Sequence, residues 1–226
     1  MDALRGITFI DIESGESLHT GNDLELIMSE KKIGMPAPRI SKVEMLDRDG
    51  DLDLSEVLRG RVSYKNRALS FTFICTHPHD IWWMVQMIFS DYIHGKRMMI
   101  VDPDRPMYAY IGRCELQEPT FIGEAIMFLT VTVDAEPYAL YLTESTKQSS
   151  VSAGSTVTVY TSGTMPTVPK ITVSDDMTIK FGDFSTALVG GSTYEIPEIM
   201  LEPGDNKIEI LEGSGTITFK YQQGAI

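Results

Sequence analysis

The chain has 226 residues, of which 42% are hydrophobic and 23% charged, and 32 acidic against 19 basic side chains give a formal net charge of −13. Composition of this ordinary globular kind excludes wholesale disorder, the length suggests two modest domains each able to bury a core, and the acidic balance argues against tight nonspecific binding to nucleic acid, which depends on neutralising phosphates. No apolar run approaches the roughly 18 to 20 residues that cross a bilayer. The opening Met1-Asp2-Ala3-Leu4-Arg5 lacks a signal-peptide layout, and two cysteines, Cys75 and Cys114, cannot build a disulfide scaffold or a thiolate zinc site. The chain therefore reads as soluble, with its thiols buried in strands.

In chain order, Ile7-Thr8-Phe9-Ile10 and the alternation of Leu24, Leu26 and Met28 predict two early strands on either side of a polar turn at Ser14-Gly15. Met35-Pro36-Ala37-Pro38 removes two backbone donors and marks a loop or sheet edge before a strand near Lys42. Asp49-Gly50 supplies a reversal, after which Leu52 and Leu54 point one way and Asp51, Asp53 and Ser55 the other. From Leu69 to Thr76 the alternation of Leu69, Phe71, Phe73 and Cys75 with Ser70, Thr72 and Thr76 is the clearest strand.

One helix is expected at about 80–94. Trp82, Val85, Ile88, Phe89, Tyr92 and Ile93 recur at helical spacing, Pro78 and Asp80 stand at its start, and Gly95 follows it, with His94, Lys96 and Arg97 placed to meet the negative end of the dipole. The Trp82 face reads as core. Strands resume at Met98 to Val101, Tyr108 to Arg113 and Met127 to Val133. Between residues 143 and 152 the chain turns polar and loses periodicity, and no arginine follows Arg113, which places a boundary there. Beyond it, short alternating runs at Val157, Ile171, Ile179, Ile208 and Ile217, separated by Gly, Pro, Ser and Asp clusters such as Gly213-Ser214-Gly215, predict a small β-sandwich. The fold class is mainly β: an α+β first domain over 1–143 with one principal helix, then a small β-sandwich over 150–226.

Chemistry is sparse. With Gly50 at the sixth position of an EF-hand-type loop, Asp47, Asp49 and Glu56 fall into register, but the first position is Met45 and the flanks have strand periodicity, so a solvated acidic turn is the reading. His77-Pro78-His79-Asp80 lacks the four-residue spacing of helical zinc ligands. No Gly-x-Ser-x-Gly elbow and no glycine loop leading into a helix is present. No catalytic, metal or cofactor residue is assigned, no cofactor is expected, and the protein is read as not an enzyme.

A resemblance rests on ordered motifs. Arg48-Asp49-Gly50, Leu52 to Glu56, Gly60, Tyr64, Arg67, Leu69, Phe71 and Phe73 look like the core of the distal tail proteins of long, flexible-tailed bacteriophages and related prophages. Ile93-His94-Gly95-Lys96 is similar to that family's helix-ending motif, Tyr108 to Arg113 and Glu136-Pro137-Tyr138 resemble the segments that follow, and Leu201 to Asn206 resembles a Pro-Gly-Asn turn of the second domain. Asp49, Gly50, Leu54, Gly60, Trp82 and Gly95 stand as structural motif positions. The resemblance implies a structural protein that forms a ring, usually a hexamer, at the virion tail tip after assembly in the host bacterial cytoplasm. The first domain would close around a channel through which DNA passes without specific binding or membrane insertion. Implied partners are other copies of itself, the tail tube protein, a tail-tip or tail-associated protein of the adhesion apparatus or baseplate, and a receptor-binding protein, although the C-terminal domain is shorter than the lectin-like version of larger relatives.

Two readings of other classes stand beside it. One is a carbohydrate or cell-wall binding module acting in host adhesion, for which the second domain offers Tyr160, Phe181, Phe184, Tyr194, Phe219 and Tyr221, several of them at core positions. The other is a calcium-dependent or hydrolytic protein built on Asp47 to Glu56.

Overall fold

The structure, a computed structural model, describes residues 5–45, 49–57, 60–76, 83 and 85–226. It is mostly β, with one short helix, and divides into two compact units, Met1–Ala139 and Leu140–Ile226. Leu46 to Arg48, and with them Asp47 of the acidic loop, lie outside the described residues, as do His77 to Trp82 with the expected helix start.

In the first unit the strands are β1 (Thr8–Asp11), β2 (Ser17–His19), β3 (Ile27–Ile33), β4 (Lys42–Val43), β5 (Leu52–Asp53), β6 (Arg67–Cys75), β7 (Arg97–Val101), β8 (Tyr108–Leu116), β9 (Thr120–Ile122) and β10 (Ile126–Ala135). The main sheet has the order β2-β1-β7-β8-β10-β6-β3, with β9 folded onto β10. Its neighbouring strands pair antiparallel along this order, so β6, β8 and β10 each bury alternate residues, and Leu69, Phe71, Phe73, Leu129 and Val131 line one face. Phe9 and Phe71 meet edge to face with ring centres 6.3 Å apart. The early alternation of Leu24, Leu26 and Met28 does not form one strand. Glu25 sits at φ 53°, which breaks the extended chain, so Leu24 and Leu26 are buried from a connection and β3 starts at Ile27.

The helix α1, described at residue 83 and over 85–93, packs Val85, Phe89 and Ile93 into that core. Its last five residues, Phe89–Ile93, widen into a π turn that closes with the His94 amide donating to Phe89 O at 2.8 Å. Gly95 follows at φ 74° and its amide donates to Cys114 O, so the glycine ends the helix as expected. The expected cations do not serve the helix end. His94 Nδ1 accepts from the Leu116 amide at 3.0 Å, Lys96 lies 3.7 Å from Asp11 and over the Tyr92 ring, and Arg97, the first residue of β7, pairs with Glu136.

Charge ties the edge strand β3 to the turn after β7. Lys31 on the edge strand β3 reaches Asp102 at 2.7 Å and Asp104 at 2.5 Å in the turn after β7. Arg5 also pairs with Asp104. Burial works against the Lys31 ammonium, but the hydrogen bonds it donates to Asp102 and Asp104, with their negative charge, outweigh it and hold the group above the ordinary lysine range.

In the second unit the strands are β11 (Ala139–Tyr141), which runs across the division, then β12 (Ser145–Ser152), β13 (Thr156–Thr161), β14 (Lys170–Val173), β15 (Met177–Phe181), β16 (Phe184–Leu188), β17 (Thr193–Glu195), β18 (Gly204–Tyr221) and β19 (Gly224–Ala225). The polar stretch at 143–152, read as a boundary, is largely β12, whose serines and threonines pair with Ser214 to Tyr221 of β18. The larger correction concerns Gly213-Ser214-Gly215. These residues do not turn the chain; they lie inside one strand of 18 residues. The first half of β18 pairs with β13 and β15, the second with β12 and β14. Gly213 at φ 92° and Gly215 at φ 147° bend the strand from one layer to the other without breaking its ladder. The buried set accordingly changes phase, from Ile208 and Ile210 to Ile217 and Phe219.

Candidate assembly surface

The sequence between β3 and β6 folds as a separate arm. Apart from Pro36, no described residue from 34 to 66 is fully buried, and none joins either hydrophobic core. The arm holds itself together at its base, where the Arg39 amide donates to Ser63 O at 2.7 Å, the Lys65 amide donates to Ala37 O at 2.8 Å, and Pro38 bridges Tyr64. The β4–β5 pair forms its outer part. There the Leu54 amide donates to Ser41 O and Ser55 Oγ accepts from the Ser41 amide. Asp53 accepts from both the hydroxyl and the amide of Ser55, which hold its carboxyl below the usual range.

Such an arm would ordinarily be polar. Here Met35, Ile40, Val43, Met45 and Val57 are exposed, at 74, 60, 45, 46 and 69%. Beside them Arg39, Ile40, Leu54, Val57 and Tyr64 line a groove of about 830 Å³. Clustered apolar exposure of this kind marks a contact surface.

The second feature is the outer face of the main sheet, whose residues from β1 to β3 are exposed or half-buried. Strand register arranges them in bands. Ile27, Ile74 and Phe128 form an apolar row; Glu30, Thr72 and Thr130 follow; Lys32, Ser70, Thr132 and Glu115 come next; then Ala68, Asp134, Arg113 and Arg97; and Ile111, Met99 and Ile10 close the face with a second apolar row. A depression of about 730 Å³ lies over the charged rows. Apolar bands around satisfied polar pairs suit a protein contact better than a catalytic cleft.

The motif residues fall on these two features. Asp49 is exposed at the arm tip, Gly50 takes φ 82° beside it, Leu54 is half-buried under the arm groove, and Gly60 takes φ 65° where its amide donates to Glu56 O. Gly95 lines the depression on the sheet face. Trp82 lies outside the described residues. Sequence reasoning singled out the turn glycines but not the exposed apolar residues around them; the run Met35, Ile40, Val43, Met45 and Val57 without regular period was the available signal.

Among the described residues no group of three His, Cys, Asp or Glu side chains is placed to hold a metal ion. Cys75 and Cys114 are buried, and burial pushes the Cys114 thiol up to about 12. In the second unit Phe219 is fully buried, Phe181, Phe184 and Tyr194 pack against the core, and Tyr221 donates its hydroxyl to Tyr160 O at 2.7 Å. Tyr160 itself is 60% exposed.

No helix of the described residues is long and apolar enough to cross a membrane. Neither a protein-family model nor a curated protein matches the chain by sequence. Among solved structures, the chain is similar to the crystal structure of the Dit protein (gp 19.1) of phage SPP1, with a TM-score of 0.64 and 16% identity over 96% of this chain and 98% of that one. That structure is described as a paradigm of the hub adsorption apparatus in phages that infect Gram-positive bacteria. The two chains share a fold.

Proposed function

We propose that the protein is a distal tail component of a long-tailed phage or prophage, a structural ring subunit at the tail tip. The observation that carries this reading is the span of the fold likeness, 96% of the chain and both units, to a phage hub protein. In this reading the first unit closes a ring, usually of six, around the channel through which DNA passes, and joins the tail tube to the tail-tip, baseplate or adhesion proteins. The second unit offers a docking surface to tail-associated or receptor-binding proteins. Assembly takes place in the host cytoplasm.

The exposed arm and the banded sheet face support the reading, because a single copy leaves uncovered the arm's apolar side chains and the apolar rows that flank the charged ones on the sheet. The cell-wall binding alternative has less behind it, since of six aromatic rings considered in the second unit Tyr160 alone is strongly exposed.

Light scattering over a wide concentration range tests the proposal. A discrete species near 151 kDa, six times the 25.2 kDa chain, is expected. A monomer at every concentration refutes self-assembly into a ring.

A further inference from the structure

Arg67, at the start of β6, faces the core and is 2% exposed. Its strand neighbours on that row are Ala135 and Gly112, and the guanidinium lies over the Tyr110 ring, 5.4 Å from its centre. Stacking satisfies the face of the guanidinium and none of its donors.

Arg67 Nε and Nη2 have no well-formed hydrogen bond and neither has the Tyr110 hydroxyl, although that hydroxyl lies close enough to the guanidinium to favour its charge against the cost of burial. The neighbouring carboxylates are committed elsewhere. Asp134 accepts from Asn66 on the outer face, and Glu136 accepts from Arg97. The other charge felt by Arg67 is that of Arg105, which is repulsive. A buried cation with two idle donors, an idle hydroxyl and a second cation nearby is costly unless an anion completes it.

We propose that Arg67 and the Tyr110 hydroxyl form a binding site for one oxyanion of the carboxylate or phosphate class. Arg67 Nε and Nη2 present the two-pronged edge that such a group accepts from, and Tyr110 donates a third bond. The anion is either a small free ion or the carboxylate of an acidic side chain from a second copy. The site does not depend on the ring reading, because both residues belong to the first unit.

The test uses the full chain with acetate and inorganic phosphate as probes, against chloride at matched ionic strength. The melting temperature is expected to rise saturably with acetate or phosphate, by a few degrees at about a hundredfold excess over Kd. Arg67→Met is expected to abolish that response and to match or exceed wild type in chloride alone, since it removes an uncompensated charge. An NMR titration of the Arg67 Nε–H resonance reads the site directly and needs no variant; a saturable shift is expected with the same midpoint. A response that follows ionic strength alone, or an Arg67 resonance that does not move, overturns the proposal. Where monomer responds and assembled protein does not, the site in the assembly is held by a neighbouring copy's carboxylate; where both respond, the ligand is the free ion.

Discussion

Asn206 is the residue on which the second unit can be tested most sharply. It is 6% exposed and sits two positions into β18, just after the Gly204 bend at φ 98°. Its Oδ1 accepts from the Glu202 amide at 2.8 Å, and its Nδ2 lies 2.8 to 3.2 Å from the carbonyls of Glu202, Gly204 and Val159, so two N–H groups are shared among three acceptors. At about 1 kcal/mol net for each of three hydrogen bonds, Asn206→Ala should cost about 3 kcal/mol. Asn206→Asp keeps the shape and the acceptor for the Glu202 amide but aims a carboxylate oxygen at the carbonyls. Its cost should be at least as large at neutral pH. Burial and those carbonyls raise the folded pKa of the introduced acid, so the penalty shrinks as pH falls toward the ordinary aspartate value of about 3.9. Hydrogen exchange by mass spectrometry reads the effect in the intact chain. Amides of β13 and the first half of β18 should exchange about 150-fold faster in Asn206→Ala, while β6 and β10 of the first unit serve as an internal reference. Exchange within threefold of wild type at β13 and β18 would refute the assignment of Asn206 as the clasp of this corner.

Lys31→Met leaves Asp102, whose side chain is 2% exposed, without its cation, and a loss of about 3 kcal/mol is expected in urea denaturation; under 1 kcal/mol would show that water compensates the carboxylate. The same network sets a pH window. Lys31 hydrogen bonding holds Asp104 below its ordinary value, so that stabilisation is present above about pH 4 and is lost as pH falls through the folded value, whereas the Lys31 contribution is present below about pH 10 and is lost as pH rises through its raised one. Stability measured across pH 3 to 11 should therefore decline at both ends, less so in Lys31→Met. Gly213→Val places a β-branched side chain at φ 92° with its Cβ 2.3 Å from Asp176 O, and should destabilise the second unit by more than about 2 kcal/mol in thermal melts. Cys114 should resist iodoacetamide at pH 8 in the native protein and react in urea; rapid native labelling would contradict its burial. Ile40→Asp combined with Val57→Asp should abolish the ring-sized species in light scattering and leave the melting temperature nearly unchanged, because both side chains are exposed in one copy.

Much of the fold was legible because burial there follows one simple period. β6 and β10 alternate cleanly, and α1 carries Val85, Phe89 and Ile93 four apart. What failed did so where one sequence signal has two structural meanings. Gly213 and Gly215 mark a turn in most chains, yet here they bend a strand between two layers, and the out-of-phase sets Ile208, Ile210 and Ile217, Phe219 read equally as two strands. Ser145 to Ser152 has no buried side chain, so nothing in its pattern distinguishes a paired strand from a linker. The candidate assembly surface was invisible for a related reason. Side-chain alternation tells which residues share a face but not which face is covered, so the Ile10, Met99 and Ile111 row is indistinguishable in sequence from core.

Charge gives the arm a further distinction. Of the residues from 34 to 66, six are basic and six acidic, so the arm is neutral and the whole net charge of −13 falls on the rest of the chain. Copies of so acidic a protein repel one another over roughly a Debye length, about 8 Å at physiological salt, and any close contact between their bodies works against that repulsion. A neutral segment with exposed Met35, Ile40 and Val57 can approach an acidic neighbour without that cost and gain by burying its apolar side chains. Two of its cations, Arg39 and Lys65, stand at its base, where Arg39 Nε donates to Tyr64 O. The element least committed to the fold of a single copy is thus also the one with the least electrostatic objection to meeting another, which is the combination a ring contact requires.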